Sequence, residues 1–520
     1  TIAPPVTENW VPARDVKHPS TSSYAFTPKY SMKYLGNMDG YGFGSSIPKF
    51  DPWFRDILKD VAPEVAEELV DTYMRDPCTP DRVLKHFSLF DKWWKPVPTG
   101  TTMKRAKAFV ASLFEPLGLV EPIDFNYEGW INILPHLDMT SSPGLPLRRE
   151  YTTQGECLGH IYDKAKRLNH FAKFLPPPAV RAPPCMIGLR PGLIRRDQLH
   201  RKTKARGVWA YPAEVKVIEN RFVIPMIKRM SEKFGKIPYP VGRNMTKALP
   251  FIIDHLLNDG RKGLVTDISK LDTDIGPGYI AWAFDLMKGW FHMGITESGV
   301  KRNENVWEFL KYYHTRTPIL LPSGQLFRKA GGVPSGSGFT QLVDTLVTLL
   351  ITSYAMFEMG YDEEYLRGMI FAVGDDMATS VKDDFDVELF GHYLKRLGFT
   401  INVDKVMFSY RGIELKFLGY SKRGGGIYRP IDELLQTGMF PEKYVGTPER
   451  SRQRILGQLI ASGLCNGFFS KILYWSSLRM GFIPFDPGET YLPQKRWLRH
   501  TLSIEEYKLT DNIFDLFSLV

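Results

Sequence analysis

GMIFAVGDDMATSVK, residues 368–382, reads as two short apolar strands joined by a tight turn at Gly374 and Asp375. The turn sets the adjacent carboxylates Asp375 and Asp376 at a hairpin tip. A solvated, Asp-rich turn is the ordinary explanation for such a triplet. The apolar flanks add something to it: buried strands that end in paired acids need an opposite charge, and a metal ion supplies one.

Working outward, LVTDISKLD at residues 264–272 is an apolar, strand-like run that delivers Asp267 at its end and Asp272 five positions later. Taken alone, it reads equally well as a strand-to-helix turn with Asp as the capping residue. If this strand lies beside the hairpin, Asp267 meets Asp375. Two metal ions held there suit phosphoryl transfer to a 3′-hydroxyl, one lowering the pKa of the attacking hydroxyl and the other neutralising the triphosphate and the leaving pyrophosphate. Between the acidic segments, GGVPSGSGFTQLVDTLVT (331–348) is a glycine-rich loop running into a helix that carries Thr340 and Asp344 on one face, at i and i+4. This loop is either a plain turn before a buried helix or a flexible element beside a bound nucleotide.

The wider sequence fits a large, folded protein of several subdomains. It has 520 residues, 43% apolar and 13% aromatic, with 44 Gly and 38 Pro distributed along the chain. The net charge of +10 favours a polyanionic partner only weakly, because it is spread over so large a surface. Four distant cysteines, Cys78, Cys157, Cys185 and Cys465, argue against a disulfide scaffold or a structural zinc site. The apolar stretch Leu342 to Phe357, interrupted by Asp344 and several Thr and Ser, reads as a buried helix and not a membrane span. With no visible signal peptide, the expectation is a soluble, intracellular protein without a membrane partner.

Residues 1 to about 60 look loop-rich, and PWFRDILKDVAPEVAEELVDTYM (52–74) predicts a helical N-terminal layer. Ser451 to Met480 predicts a separate, mainly helical C-terminal subdomain. RRDQLHRKTKAR (195–206) is the densest basic segment. For Arg195, Arg196 and Arg201 a solvated basic face and a phosphate contact remain equally open.

In order and content these motifs closely resemble the right-hand palm of viral RNA-dependent RNA polymerases. DISKLD resembles the first palm motif, which implies a metal-binding role for Asp267 and ribose sensing for Asp272. PSGSGFTQLVD resembles the second, with Ser335, Gly336, Thr340 and Asp344 at the nucleotide, and GDD the third, with Asp375 and Asp376 as catalytic metal ligands. LKRLGFTINVDK (394–405) resembles the fourth and makes Lys405 the candidate general acid. KFLGYSKR resembles the fifth, a hairpin gripping the primer strand, with Lys416, Phe417, Leu418 and Gly419 at the RNA. The basic segment resembles the motif that contacts the triphosphate through Lys204 and Arg206, with Lys202 as a third candidate. SSPGLP (141–146) resembles a template-entrance loop, with Ser142, Gly144 and Pro146. The stretch SKLDTD (269–274), small and polar, suits a ribonucleotide where a reverse transcriptase generally places an aromatic gate.

The resemblance implies an α+β right hand of fingers, a palm on an antiparallel sheet, and a helical thumb. Its expected divisions are 1–211 for the N-terminal region and fingers, 212–289 for the first part of the palm with a return to the fingers, 290–326 for a fingers insertion, 327–423 for the second part of the palm, and 424–520 for the thumb and tail. It implies synthesis of RNA from NTPs on an RNA template with two Mg2+ or Mn2+ ions. Partners would be template, product and a viral capsid protein, inside a particle in the host cytoplasm. One departure stands out: many family members carry Asn where this chain has Asp344, and a carboxylate donates no hydrogen bond unless protonated. SGSGFTQLVD looks most like the picobirnaviruses and partitiviruses, double-stranded RNA viruses. The apolar tail NIFDLFSLV (512–520) is expected to dock on the thumb or occupy the cleft.

Overall fold

The computed structural model describes residues 25–42, 50–242, 245–296, 299–300, 302–402, 405–409, 415–423, 426–462 and 467–481. The expectation for residues 512–520 lies outside them.

The central strand Lys262–Ser269 is buried on both faces, with Leu264 on one and Val265 on the other at most 7% exposed, as its near-continuous apolar run requires. On one side it pairs antiparallel with Asp376–Val381, which pairs in turn with Ile370–Val373. On the other side it pairs with Thr400–Ile401 and Met407–Ser409, completing an antiparallel sheet. The helix Thr340–Glu358 packs on this sheet and is buried continuously from Leu342 to Phe357. It is long and apolar enough to cross a membrane, but 89% of its apolar window lies inside the protein, as the interrupting polar residues suggested.

A second sheet runs in the order Lys33–Asn37, Gln325–Arg328, Pro318–Leu320, Cys185–Pro191, Ala205–Ala210. It brings residues 318–328 beside the strands that flank the basic segment. A large core, with Trp209, Phe284, Trp307 and Phe339 near its centre, joins the two sheets.

The helical patterning over 52–74 becomes two helices, Pro52–Val61 and Pro63–Thr72. Proline lacks an amide hydrogen and disfavours helical backbone in the residue before it, so Ala62 leaves the helix and Pro63 begins the next one. These helices share a core with Ile431–Met439, Pro448–Ala461 and Gly467–Arg479: Trp53, Phe54 and Leu58 pack with Leu434, Ile455 and Leu473. The C-terminal helices therefore do not build their core alone. Buried Asp51 ties the two ends together. It caps the first helix by accepting from the Phe54 amide (3.1 Å), and it also accepts from the Ser451 hydroxyl (2.8 Å) and Arg454 (2.5 Å).

Candidate active site

Hairpin chemistry explains how the acids are displayed. Val373 pairs with Asp376, leaving Gly374 and Asp375 as a two-residue turn with positive φ at Gly374 alone (63°). That is the type II′ pattern, which takes glycine at its first central position. In the next ladder Asp376 stands directly opposite Asp267. Register thus brings the two sequence motifs together: Asp267 and Asp376 are cross-strand neighbours, and Asp375 projects from the tip beside them.

The crowding has an electrostatic cost. Desolvation, then the Asp375 and Asp267 charges, push Asp376 up to about 6. Asp375 is exposed at the turn, and partial desolvation by the surrounding chain, then the Asp267 charge, raises its pKa. Lys405 offsets part of the charge by pairing with Asp267. The Asn402 amide, bonded to the Asp267 carbonyl at 2.8 Å, sets the turn that delivers this lysine. Among the described residues no three acids close into a ready-made metal cage. The donor set nevertheless fits a hard divalent cation: these are carboxylate oxygens without sulfur or imidazole, gathered at one end of the sheet.

Asp272 follows a turn at Lys270, whose φ is 54°, and its carbonyl accepts from the Val333 amide (2.7 Å), joining the first acidic segment to the glycine-rich loop. Its side chain is hydrogen-bonded to Asp344. Two carboxyl groups make that bond only if one carries a proton. Desolvation, then the neighbouring Asp272 charge, holds Asp344 well above the usual carboxylate range; burial raises Asp272 as well, and its bond to Asp344 and the Arg206 charge offset part of that. The more strongly raised Asp344 is the partner that favours the proton, and a protonated Asp344 is a donor as an asparagine would be. Thr340 begins the same helix and donates its hydroxyl to the Pro334 carbonyl (2.6 Å).

Close approach explains the glycine loop. A Cβ at Gly336 would lie 1.8 Å from the Trp209 carbonyl oxygen, and Ser335 Oγ accepts from the Trp209 amide (3.2 Å). Gly144, at φ 69°, lies against Tyr211 and Pro212, so SSPGLP and the glycine loop pack on the same stretch of chain. Ser142 and Pro146 are exposed there.

The basic segment divides in two. Arg195 pairs with Asp197 (3.2 Å) and Arg196 donates to the Val70 carbonyl (2.8 Å), which favours the structural reading for both. Arg201 is exposed. Lys204 is exposed and within electrostatic reach of Lys405, the partner of Asp267: partial desolvation, then the charges of Lys405, Arg206 and Lys202, lower its pKa. Lys202 is exposed nearby. In the fifth segment, Leu418 (φ 54°) and Gly419 (φ 78°) form a two-residue turn with both φ positive, a type I′ geometry that leucine adopts under strain. Phe417 is buried beneath it, half-buried Leu418 packs against the core, and Lys416 pairs with Glu433, so the turn backbone is what the hairpin presents outward.

Several positioning residues have no motif of their own. The Gly374 amide donates to Thr345 Oγ1 (2.9 Å) and the Thr348 hydroxyl donates to the Gly374 carbonyl (2.7 Å), clasping the acidic turn from the buried helix. Their four- and eight-residue spacing from Gln341 and Thr340 was a visible signal, but the partner was not. Buried Glu219 accepts from Ser337 Oγ and the Gly338 amide, both at 2.7 Å, and burial pushes it up to about 7. Asp76 and Arg82 form a fork that also accepts from the Lys204 amide (2.8 Å) and donates to the Lys202 carbonyl (2.7 Å).

The viral RNA-dependent RNA polymerase family model matches residues 57–477. The RNA-directed RNA polymerase of Cryptosporidium parvum virus 1 is 24% identical over 433 residues, covering 74% of this chain and 77% of that one. Among solved structures, the polymerase of a human picobirnavirus superposes with a TM-score of 0.62 at 14% identity, covering 85% of both chains. The Sicinivirus 3Dpol polymerase superposes with a TM-score of 0.65 at 14% identity, covering 90% of this chain and 99% of that one. The fold is the right hand expected from the motifs, and the chain belongs to the viral RNA-dependent RNA polymerase family as an RNA-directed RNA polymerase.

Proposed function

We propose that this chain replicates and transcribes a double-stranded RNA genome by two-metal nucleotidyl transfer, from within a viral particle in the host cytoplasm and against a capsid protein. The divisions at 211, 289, 326 and 423 serve as fingers, palm and thumb boundaries. One observation carries the chemistry: Asp267 stands in register with Asp376, with Asp375 at the adjoining tip. Mg2+ or Mn2+ at these three acids would supply a more acidic 3′-hydroxyl and neutralise phosphate charge.

The chain's own groups do the rest. Lys204 and Arg206, with Lys202 at the edge, hold the triphosphate by charge-assisted hydrogen bonds. Lys405 leaves Asp267 and delivers its Nζ proton to the departing pyrophosphate. Asp344, protonated, donates, and Asp272 accepts, so that the pair reads the ribose hydroxyl as an amide and a carboxylate would. Ser335, Gly336 and Thr340 keep the loop close beneath the nucleotide. Ser142, Gly144 and Pro146 border the template, while the Leu418–Gly419 turn, set by Lys416 and Phe417, borders the product.

The test is incorporation of labelled NTPs on single-stranded RNA with Mg2+ or Mn2+, comparing the wild type with Asp375→Ala and running a dNTP control. Template-dependent synthesis that disappears in the variant supports the metal role. Synthesis that survives in Asp375→Ala, or a preference for dNTPs, overturns the assignment.

A further inference from the structure

A cavity of about 450 Å³ lies away from the acids, where the C-terminal helices meet the strand Tyr73–Arg75. Arg75, Arg429, Lys443, Arg450 and Arg454 line it, and Glu442 is the one carboxylate among the lining residues. Arg450, Arg454, Gln458 and Ala461 come from one helix at four- and three-residue spacing, so a single face of Pro448–Ala461 forms a wall. Among these cations Arg454 pairs with Asp51 (2.5 Å) and Arg75 approaches Glu442 (4.0 Å). Glu442 is itself shared with Arg190 (3.3 Å). The surplus is positive, and like charges gathered in a concave, partly apolar site repel one another unless an anion joins them.

A specific orphan points the same way. Arg429 Nε is buried with no hydrogen-bond partner among the described residues, while its guanidinium stacks over Tyr420 at 5.6 Å from the ring centroid. Tyr420 follows the Leu418–Gly419 turn, and Arg190 stands opposite Arg206 in its sheet. The cavity therefore adjoins both the fifth motif and the triphosphate strand without containing Asp267, Asp375 or Asp376. Its remaining walls include Pro441, Tyr444 and Val445, an apolar and aromatic surface.

From this we infer a second nucleotide site: the cavity takes one nucleotide, its phosphate held by the arginines and its base or sugar against Pro441, Tyr444 and Val445. The volume falls in the range of roughly 300–1,000 Å³ typical of small-molecule sites, and guanidinium forks match phosphate oxygens. The choice of nucleotide among phosphate compounds rests on the polymerase activity. Its source is either a free NTP or one residue of a bound RNA strand.

The test is photolabelling of the full chain with 8-azido-ATP, followed by peptide mapping. Label is expected within residues 441–461 and persists in Asp375→Ala. In Lys443→Glu/Arg450→Glu, two exposed positions, that label falls about tenfold or more while thermal unfolding stays unchanged. If the double variant misfolds, Lys443→Gln and Arg450→Gln taken singly provide the same comparison. No label in this peptide, or label indifferent to the substitutions, overturns the site. Displacement by a short unlabelled RNA assigns the nucleotide to a strand, and persistence assigns it to free NTP. NTP incorporation on the same preparation reads the polymerase activity separately.

Discussion

Two clusters of charge in this molecule are built in opposite ways. At the junction of the chain ends, Asp51 is fully buried and answered by a helix amide, a hydroxyl and Arg454. At the acidic hairpin, Asp267, Asp375 and Asp376 crowd one another; Lys405 pairs with Asp267, and its charge and that of Lys416 only partly offset the crowding at Asp376. The first arrangement is what a chain does to make a buried charge tolerable. The second keeps an unfavourable one, and a protein carries that burden where chemistry uses it.

The comparison breaks most sharply at Asp375. Asp375→Ala should lower NTP incorporation by about three orders of magnitude or more, as loss of metal-based charge stabilisation worth several kcal/mol would. It should leave the thermal midpoint unchanged or raised, because a repelling charge is gone. A lowered midpoint in chelator would show that the acids stabilise the fold. Asp51→Ala should do the reverse, destabilising by about 3–5 kcal/mol in denaturant unfolding by leaving Arg454 without its partner. Activity per folded molecule should be kept.

Thr345→Val and Thr348→Val lie between the two regimes. Each removes one bond to Gly374, so stability should fall by about 1–3 kcal/mol while a displaced turn lowers kcat, up to about a hundredfold. Unchanged kcat in both would mean the turn holds its own position. At Asp344, the donor argument predicts that Asp344→Asn retains NTP-over-dNTP selection and that Asp344→Leu loses it, read from the two kcat/KM values. Loss of selection in the Asn variant would contradict the protonated state.

The smallest effect is in the pH dependence. Asp376 is raised from 3.8 to about 6, so between those values the unfolded chain loses a proton that the folded chain keeps. Its contribution to stability therefore falls as pH rises through this window and stays low above it. Thermal midpoints in chelator should show that fall in the wild type and a shallower one in Asp376→Asn, and divalent cation should offset it near neutrality. Identical slopes would remove Asp376 as the cause.

The acids, the glycine loop and the buried helix were legible because each is encoded locally. Near-continuous apolar runs, a Gly-first turn and i, i+4 spacing act within a few residues, and the type II′ turn at Gly374–Asp375 is signalled by its own residues even though Thr345 and Thr348 hold it in place. The roll of the basic segment was only half legible: Arg195 and Arg196 look like Lys204 in sequence, and only their partners Asp197 and Val70 separate them. Phe417 is similar, since an aromatic residue near a turn can equally face a ligand or, as here, the core.

By itself the sequence determined the acidic turn, because short-range backbone preferences and side-chain chemistry suffice for it, and the content and order of its motifs carried the resemblance to the polymerase family. Tertiary structure alone decided which acid faces which, that Asp344 is buried against Asp272, and how the two ends of the chain share a core. Register, desolvation and a contact spanning 400 residues, such as Asp51 with Ser451, are properties of packed surfaces and leave no local pattern to read.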